Sequence, residues 1–494
     1  MAGSVLILLA ATVIQRTIGF GRGVMFCRWL TPETLGQWEM AYSFLLLAAP
    51  LIVLGVPGSF GRYLEHFSQR GHLQTFLLRT AAWTAACCLV GVTVVLWFAP
   101  HVSQLLFGSP DRAELIRGIG FCLVAIIVHH SLTSLLTALR LFRVVTVVNF
   151  AQSTIFATVA LALLCFNASV SSILMGYATG CVLASLGAIL WVWPGLREID
   201  RPIEPLPHFN FWPKLLRFAF FVWVSNLLAH LFALVDRYMI IHYSGMEASE
   251  ALNQVGYYHS SRIVPLLLVS FADLLSGLVM PHLSHDWEAG RRQQVGARLN
   301  LTVKLTGLGM TAFGVAVLLF GPLLFDVVLQ GKYSDGLVVL PWVLAGCVWY
   351  GIYSIAQNYL WCAEKAKLAA APLAIGLGVN VLLNLLLLPV WGLFGAVVAT
   401  GLSTLLCLAT VLVISRRHGM QLDIGTALVA LGPLALTAGV VPAAAIFATL
   451  LVAALGTDLV LNNAERTQLK SLAAEWINKW TPKTQRYTSP SGGA

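Results

Sequence analysis

Twelve apolar runs, each long enough to cross a lipid bilayer, recur along this chain of 494 residues. A helix needs about 20 apolar residues to cross the hydrocarbon core. The backbone meets no water there, so runs of this length predict helices. Only 10% of the residues are charged, against about 25% in soluble domains. The sequence therefore predicts an all-α, polytopic membrane protein. The runs are 4–30, 34–57, 72–99, 115–138, 144–166, 170–193, 214–242, 253–281, 299–329, 336–360, 368–390 and 393–415.

A thirteenth apolar stretch, 424–460, is too long for one spanning helix. Val440, Val441 and Pro442 are suited to a turn within it, which divides it into two short helices. We therefore expect 12–14 transmembrane helices and favour 14.

The basic residues predict the orientation in the membrane. If the N-terminus is cytoplasmic, the cytoplasmic loops hold fifteen Lys and Arg residues and the outer loops hold four. Cytoplasmic loops are enriched in Lys and Arg, so both termini are predicted to be cytoplasmic. The formal charge of +9 thus reflects topology, and we expect no nucleic acid partner.

A proline-rich loop follows the sixth run and contains Pro202, Pro205, Pro207 and Pro213. It divides the twelve runs into two sets of six. The predicted parts are an N-lobe of helices 1–6 (1–193), a cytoplasmic linker (194–213), a C-lobe of helices 7–12 (214–417), an extra helical hairpin (418–461), and a cytoplasmic amphipathic helix with a disordered tail (462–494).

The amphipathic helix follows from apolar residues at helical spacing after the last run. These are Leu469, Leu472, Trp476 and Trp480, and Asn463 is suited to be the N-cap. Such a helix is expected to lie on the inner leaflet.

Four pairs of residues relate the two halves at nearly one offset. Six helices per lobe is an even number, so both lobes have one orientation and a pseudo-twofold axis runs along the membrane normal. Repeats of this kind place the substrate at the interface between the halves. The pairs, with their offsets, are Gly36 and Gly256 (220), Gly108 and Gly331 (223), Arg79 and Lys304 (225), and Arg143 and Lys367 (224).

Two arginines, Arg16 and Arg22, lie inside the first apolar run beside Gly19 and Gly23. An arginine at the centre of a membrane helix costs about 2.5–3.5 kcal/mol, and such residues usually face a cavity or a partner. They therefore predict a cationic cavity. The alternative is that they pair with acids such as Glu39 and only hold helices together.

The seventh run carries Asn226, His230 and Arg237 on one polar stripe, with Asp236 beside Arg237. Asp236 and Arg237 lie near the outer end of this span. We expect the stripe to face the cavity, while the alternative is that the adjacent pair is an interfacial ion pair.

In the eighth run, Asp273 follows Arg262 by eleven residues, which rotates a continuous helix by only about 20°. Both side chains are therefore predicted to face the cavity. Pro265 is expected to kink this helix.

In the eleventh span, Asn380 and Asn384 are predicted to bond helix to helix. Lys304 lies near the inner end of its span, where its side chain is expected to extend to the interface.

Three stretches resemble bacterial polysaccharide-unit (Wzx-like) flippases of the multidrug, oligosaccharidyl-lipid and polysaccharide exporter superfamily. The first, RWLTPETLGQWEMAYSFLLLAAPLIVLGVPGSFGRYL, is similar to their opening two spans. LVDRYMIIHYSG with VGYYHSSRIVPLLL resembles spans seven and eight, and KLAAAPLAIGLGVNVLLNLLLLPVWGLFGAVVATGLS resembles spans eleven and twelve. The resemblance implies two six-helix lobes around a cationic cavity. It also implies that Arg16, Arg22 and Arg262 hold a lipid diphosphate.

The function that the resemblance implies is transport of an undecaprenyl-diphosphate-linked oligosaccharide across a bacterial plasma membrane by alternating access. The implied partners are the polyprenyl-diphosphate-linked oligosaccharide, membrane lipids and polysaccharide polymerase machinery. No cofactor or metal is expected apart from a coupling H⁺ or Na⁺, with Asp273, Asp236 and Glu39 as candidate groups. The predicted substrate-binding set is Arg16, Arg22, Arg262, Arg237, Asn226 and His230.

Two alternatives remain. A cation-coupled multidrug antiporter would bind cationic drugs, whereas the buried arginines favour an anionic cargo. A membrane glycosyltransferase or polysaccharide polymerase usually has a long outer loop, and here the outer loops are short. The sequence also contains no Walker A, HExxH or GxSxG motif. We therefore expect a transporter and not an enzyme.

Overall fold

The computed structural model describes residues 2–197 and 208–480, and every regular element in these ranges is helical. Nine helices in the described ranges are long and apolar enough to cross a membrane. The predicted all-α, polytopic membrane fold is confirmed, while the exact number of spans stays a prediction. The middle of the predicted linker (198–207) and the end of the tail (481–494) lie outside the described residues.

The first half of the chain forms eight helices, six of which follow the first six apolar runs, while two helices of nine residues each lie between the runs. Short 3₁₀ turns at Val56–Ser59 and Pro110–Arg112 connect some of them. The helices are α1 (Ala2–Trp29), α2 (Pro32–Ile52), α3 (Phe60–Ser68), α4 (Leu73–Trp97), α5 (Ala99–Phe107), α6 (Ala113–Ala138), α7 (Phe142–Phe166) and α8 (Val170–Arg197).

The second half is built from longer and more interrupted helices. A π-helical turn at Leu324–Val328 extends α12, and Gly392 breaks α15 with a φ of 54° and a ψ of −136°. The helices are α9 (His208–Tyr243), α10 (Ala248–Arg262), α11 (Pro265–Glu288), α12 (Arg292–Leu323), α13 (Ser334–Ala356), α14 (Asn358–Cys362) and α15 (Ala366–Arg417).

The C-terminal stretch is divided as expected, although the break lies at Gly439 (φ 97°), one residue before the predicted turn. It forms α16 (Ile424–Leu431), a 3₁₀ segment (Gly432–Ala438) and α17 (Val440–Gly456). The amphipathic segment forms α18 (Asn463–Trp480). Its N-cap is Asn462 and not Asn463, because Asn462 Oδ1 accepts the Glu465 amide at 2.8 Å.

Lys304 does not extend to the interface, and that expectation was wrong. It is 1% exposed, and its Nζ lies 2.9 Å from Glu465 Oε2 and also contacts Asp423. A buried ammonium is stable only with such partners. Lys304 therefore binds both α18 and the segment before α16 to α12.

The two halves meet where α2 crosses α10, and a glycine on each helix makes the close approach possible. A Cβ on Gly36 would collide with the carbonyl oxygen of Leu252, and a Cβ on Gly256 would collide with that of Pro32. Each carbonyl belongs to the residue four positions before the other glycine. The pair found through the sequence repeat is thus a mutual backbone contact, of the kind that small residues permit between membrane helices.

Loops close the same face of the molecule, which we call the sealed face. Lys332 Nζ donates to the Arg28 carbonyl at 2.6 Å, and Tyr333 Oη donates to the Leu30 carbonyl at 3.2 Å. Conversely, His242 Nε2 lies 2.8 Å from the Leu105 carbonyl of the first half. The end of α1 is therefore covered by the loop before α13, and the end of α9 contacts α5 of the other half.

Candidate functional site

A cavity of about 680 Å³ lies between the two halves, beneath the α2–α10 crossing. Helices α1, α2, α6, α7 and α8 of the first half and α9 to α11 of the second half contribute to its wall. Its charged and titratable lining residues are Arg16, Arg22, Glu39, Tyr42, His129, His130, Tyr177, His230, Arg237, His259 and Arg262. Four arginines against one carboxylate make this cavity strongly cationic.

The first wall of the cavity is α1, which presents Arg16 and Arg22. A Cβ on Gly19 would meet no atom within 4 Å, so the helix surface between the two arginines is open to the cavity. The Arg22 guanidinium stacks on Phe156 of α7, with Cζ 4.0 Å from the ring centroid. This cation–π contact fixes the guanidinium without neutralising its charge.

Glu39 on α2 does not pair with the arginines of α1. Its Oε1 lies 2.5 Å from Arg237 Nη2, and its Oε2 lies 2.6 Å from His259 Nδ1. Arg16, Arg22 and Arg262 take part in no ion pair with a described side chain. The structure thus favours a cavity-lining position over mere helix pairing for the arginines of α1.

Helix α9 contributes only part of its predicted polar stripe. His230 and Arg237 line the cavity, but Asn226 is exposed and does not line it. Asp236 and Arg237 do not form the interfacial pair considered above, because Arg237 pairs with Glu39 while Asp236 bonds to other helices of the second half.

Arg262 and Asp273 are not brought together. Arg262 ends α10, lines the cavity and lies 5.2 Å from the centroid of the Tyr258 ring. Pro265 was expected to kink one continuous helix, whereas a new helix, α11, begins there. Asp273 is exposed and does not line the cavity.

A second polar cluster lies inside the second half, around Asp236. This carboxylate is 2% exposed. It accepts hydrogen bonds from Thr400 Oγ1 at 2.6 Å, from Asn384 Nδ2 at 3.3 Å and from Tyr258 Oη at 3.3 Å. Asn384 also donates to Asn380 Oδ1 at 3.0 Å. A side cavity of about 240 Å³ adjoins this cluster.

Sequence reasoning did not identify His259 or Thr400 as parts of these clusters. The repeat carried a signal for His259, because an offset of 220 from Glu39 leads to it. The two asparagines were predicted to bond helix to helix, and the bond from Asn384 to Asp236 depends on how α9 packs on α15. Among the described residues, no three His, Cys, Asp or Glu side chains are placed to hold a metal.

A model of the family described as "Polysaccharide biosynthesis protein" matches residues 1–285, more than half of the chain. Stage V sporulation protein B of Bacillus subtilis (strain 168) is 30% identical over 104 residues, 20% of each chain. The probable low-salt glycan biosynthesis flippase Agl15 of Haloferax volcanii is 21% identical over 217 residues, 44% of each chain. The chain thus matches less than half the length of these curated relatives.

Solved structures share the fold over nearly their whole length. The lipid II flippase MurJ in an inward closed conformation has a TM-score of 0.71 at 15% identity, covering 90% of this chain and 98% of that one. An inward-facing multidrug resistance transporter of the MATE family has a TM-score of 0.65 at 12% identity, covering 84% and 97%. At these identities the likeness establishes the architecture alone.

Proposed function

The chain belongs to the polysaccharide biosynthesis protein family, and from that premise we propose that it is a flippase. Its cargo would be an undecaprenyl-diphosphate-linked saccharide unit, moved across the plasma membrane by alternating access. One observation carries this proposal: the cavity between the halves holds four arginines, and the one carboxylate among its described lining residues, Glu39, is already paired.

The cavity suits a lipid diphosphate in charge and in size. Arg16, Arg22 and Arg262 offer forked donors, which bind phosphate oxygens through paired hydrogen bonds. A volume of about 680 Å³ lies within the roughly 300–1,000 Å³ that is usual for ligand pockets. These cations would replace the water that the diphosphate loses on leaving the leaflet, while the saccharide occupies the remaining space.

The proposed orientation places the sealed face outside. The loops predicted to be external carry few basic residues, and they are the ones that meet at this face. The cavity would then load from the cytoplasm of a bacterial cell, with both chain termini inside. Polysaccharide polymerase machinery is the partner proposed to receive the flipped saccharide.

Asp236 is the best supported of the three candidate groups for a coupling H⁺ or Na⁺. It is a buried carboxylate that forms no ion pair with a described side chain, and it is surrounded by oxygen and amide groups of Thr400, Asn380 and Asn384. Oxygen ligands of this kind suit a hard cation. Glu39 is already bound by Arg237 and His259, and Asp273 is exposed, so both are weaker candidates.

The test is flipping of a fluorescent undecaprenyl-diphosphate-linked oligosaccharide in vesicles, with binding measured in parallel. Arg22→Ala should weaken binding about 10–150-fold, because a hydrogen bond to a charged group contributes about 1.5–3 kcal/mol. Arg262→Ala should behave similarly. The control is Arg117→Ala, since Arg117 is exposed and outside the cavity.

Undiminished flipping by well-expressed Arg22→Ala and Arg262→Ala would refute the cargo assignment. Export of a cationic drug, unaffected by these substitutions, would favour the multidrug antiporter. Formation of new glycosidic bonds by the purified protein would instead favour the glycosyltransferase or polymerase.

A further inference from the structure

At the end of the cavity nearest the sealed face, a single carboxylate joins the two halves. This end is formed by Glu39, Arg237 and His259. Glu39 belongs to α2, while Arg237 and His259 belong to α9 and α10. The contacts of 2.5 Å and 2.6 Å are charge-assisted and largely buried, since Glu39 is only 6% exposed. Such contacts are about twice as strong as neutral hydrogen bonds.

This cluster lies directly beneath the glycine crossing. Glu39 follows Gly36 by three residues and His259 follows Gly256 by three, so each lies about one helical turn from its glycine on the side of the cavity. The ion pairs thus hold α2 against α9 and α10 beside the sealed face. If Glu39 released its partners, the two halves would lose these polar contacts beside the crossing.

Arg237 is shared between the cluster and the cavity. Its Nη2 binds Glu39, while its Nε is buried with no acceptor among the described residues. It lines the same cavity as Arg16, Arg22 and Arg262. A diphosphate carries more charge and more acceptor oxygens than one carboxylate, and arginine binds it through two parallel bonds. A diphosphate in this cavity therefore competes with Glu39 for Arg237.

We propose that Glu39 is an internal counter-anion, which holds Arg237 and His259 until a phosphate of the cargo takes its place. The exchange transfers Arg237 and His259 to the cargo and frees α2 from α9 and α10, so the sealed face opens only when the cavity is loaded. A ligand shifts a conformational equilibrium only through such a difference in interaction between two states. This inference rests on the proposed function, because it takes a lipid diphosphate as the cargo.

Cys27 provides a reporter of opening at the sealed face. It is 0% exposed near the end of α1, where Lys332 and Tyr333 of the other half cover the chain. A protein that keeps Cys27 and carries alanine at its other eight cysteines is placed in vesicles. A membrane-impermeant maleimide is then added on the side of the sealed face, with or without undecaprenyl diphosphate. A Cys165-only protein is the positive control, since Cys165 is exposed at the end of α7.

Undecaprenyl diphosphate should raise the labelling rate of Cys27 about tenfold, which corresponds to about 1.4 kcal/mol. Glu39→Gln should label rapidly without the lipid and respond no further, whereas Glu39→Asp should restore slow, lipid-dependent labelling. The matched control is Glu33→Gln, which removes a carboxylate of the same helix that pairs with Arg112 inside the first half. This variant should behave like the parent.

Slow and still lipid-dependent labelling of Glu39→Gln would overturn the inference. Separate measurement of lipid binding distinguishes the two proposals. If the parent protein binds undecaprenyl diphosphate but its labelling does not change, the exchange is wrong and the proposed cargo stands. If it does not bind the lipid, the proposed function fails, and the exchange fails with it.

Discussion

The glycine crossing leads to a quantitative prediction about the equilibrium between the closed and open states of the sealed face. Gly256→Ala places a methyl group against the Pro32 carbonyl, so α2 and α10 can no longer close fully. The close Cα–H···O contacts at the two glycines contribute about 0.5–1 kcal/mol each, and overpacking a tight contact costs about 1–3 kcal/mol. The closed state alone bears this cost, because the crossing separates when the face opens. The equilibrium should therefore shift toward opening by about 5–150-fold.

Spin labels at two exposed positions on opposite halves measure this shift. The labels are attached through Asp111→Cys and Ser249→Cys. These positions are close in sequence to Gly108 and Ala248, whose Cβ positions are 3.3 Å apart. In a background without the native cysteines, Gly256→Ala should add a population with a longer distance between the labels.

Gly36→Ala should act in the same way, because its added Cβ meets the Leu252 carbonyl. The control is Gly309→Ala, where a Cβ on an exposed helical glycine would touch nothing within 4 Å. Unchanged distances in both Gly36→Ala and Gly256→Ala would refute the role of the crossing in closure.

The polar contacts of Asp236 and of Lys304 give further predictions. Asp236→Asn should abolish the dependence of flipping on a Na⁺ or H⁺ gradient while lipid diphosphate still binds; a retained gradient dependence contradicts the coupling role. Lys304→Met should lower the free energy of unfolding in detergent by about 2–4 kcal/mol, because it leaves Glu465 buried and unpaired while Asp423 is partly exposed. Thermal unfolding followed by thiol labelling measures this change. Burial raises the pKa of Asp423, but hydrogen bonds from Lys304 and Thr426 outweigh it and hold that pKa below 3.8. The stability from this carboxylate is therefore complete above about pH 4 and is lost as the pH falls further, so the unfolding temperature of the parent should fall there more steeply than that of Asp423→Asn.

The sequence predicted those features that follow from the cost of polar groups in lipid. Long apolar runs require helices, and Arg16, Arg22 and Arg262 lie around a cavity because a lone guanidinium is costly in hydrocarbon. Asn226 was placed in the cavity on helical periodicity alone. An uncharged amide is cheaper to expose, so the same argument was weaker for it, and it lies outside the cavity.

Contacts between side chains that are far apart in the sequence were harder to predict. Glu39 binds Arg237 and His259 because α2 crosses α10 at a glycine contact, and no local pattern encodes that crossing. Asp273 was aligned with Arg262 on an uninterrupted helix, whereas α10 ends at Arg262 and α11 begins at Pro265. Only the repeat offset carried long-range information, and it relates Glu39 to His259.

The mutual contact of Gly36 and Gly256 has the geometry of an isologous dimer interface, in which residue i meets j and j meets i. If a half-length chain made this contact with a second copy of itself, the position of Glu39 would face its own copy, and two like charges would repel each other. Within one chain the two positions are free to differ, and here they are a carboxylate and an imidazole 2.6 Å apart. A single chain thus permits a complementary pair where a symmetric dimer could place only identical groups.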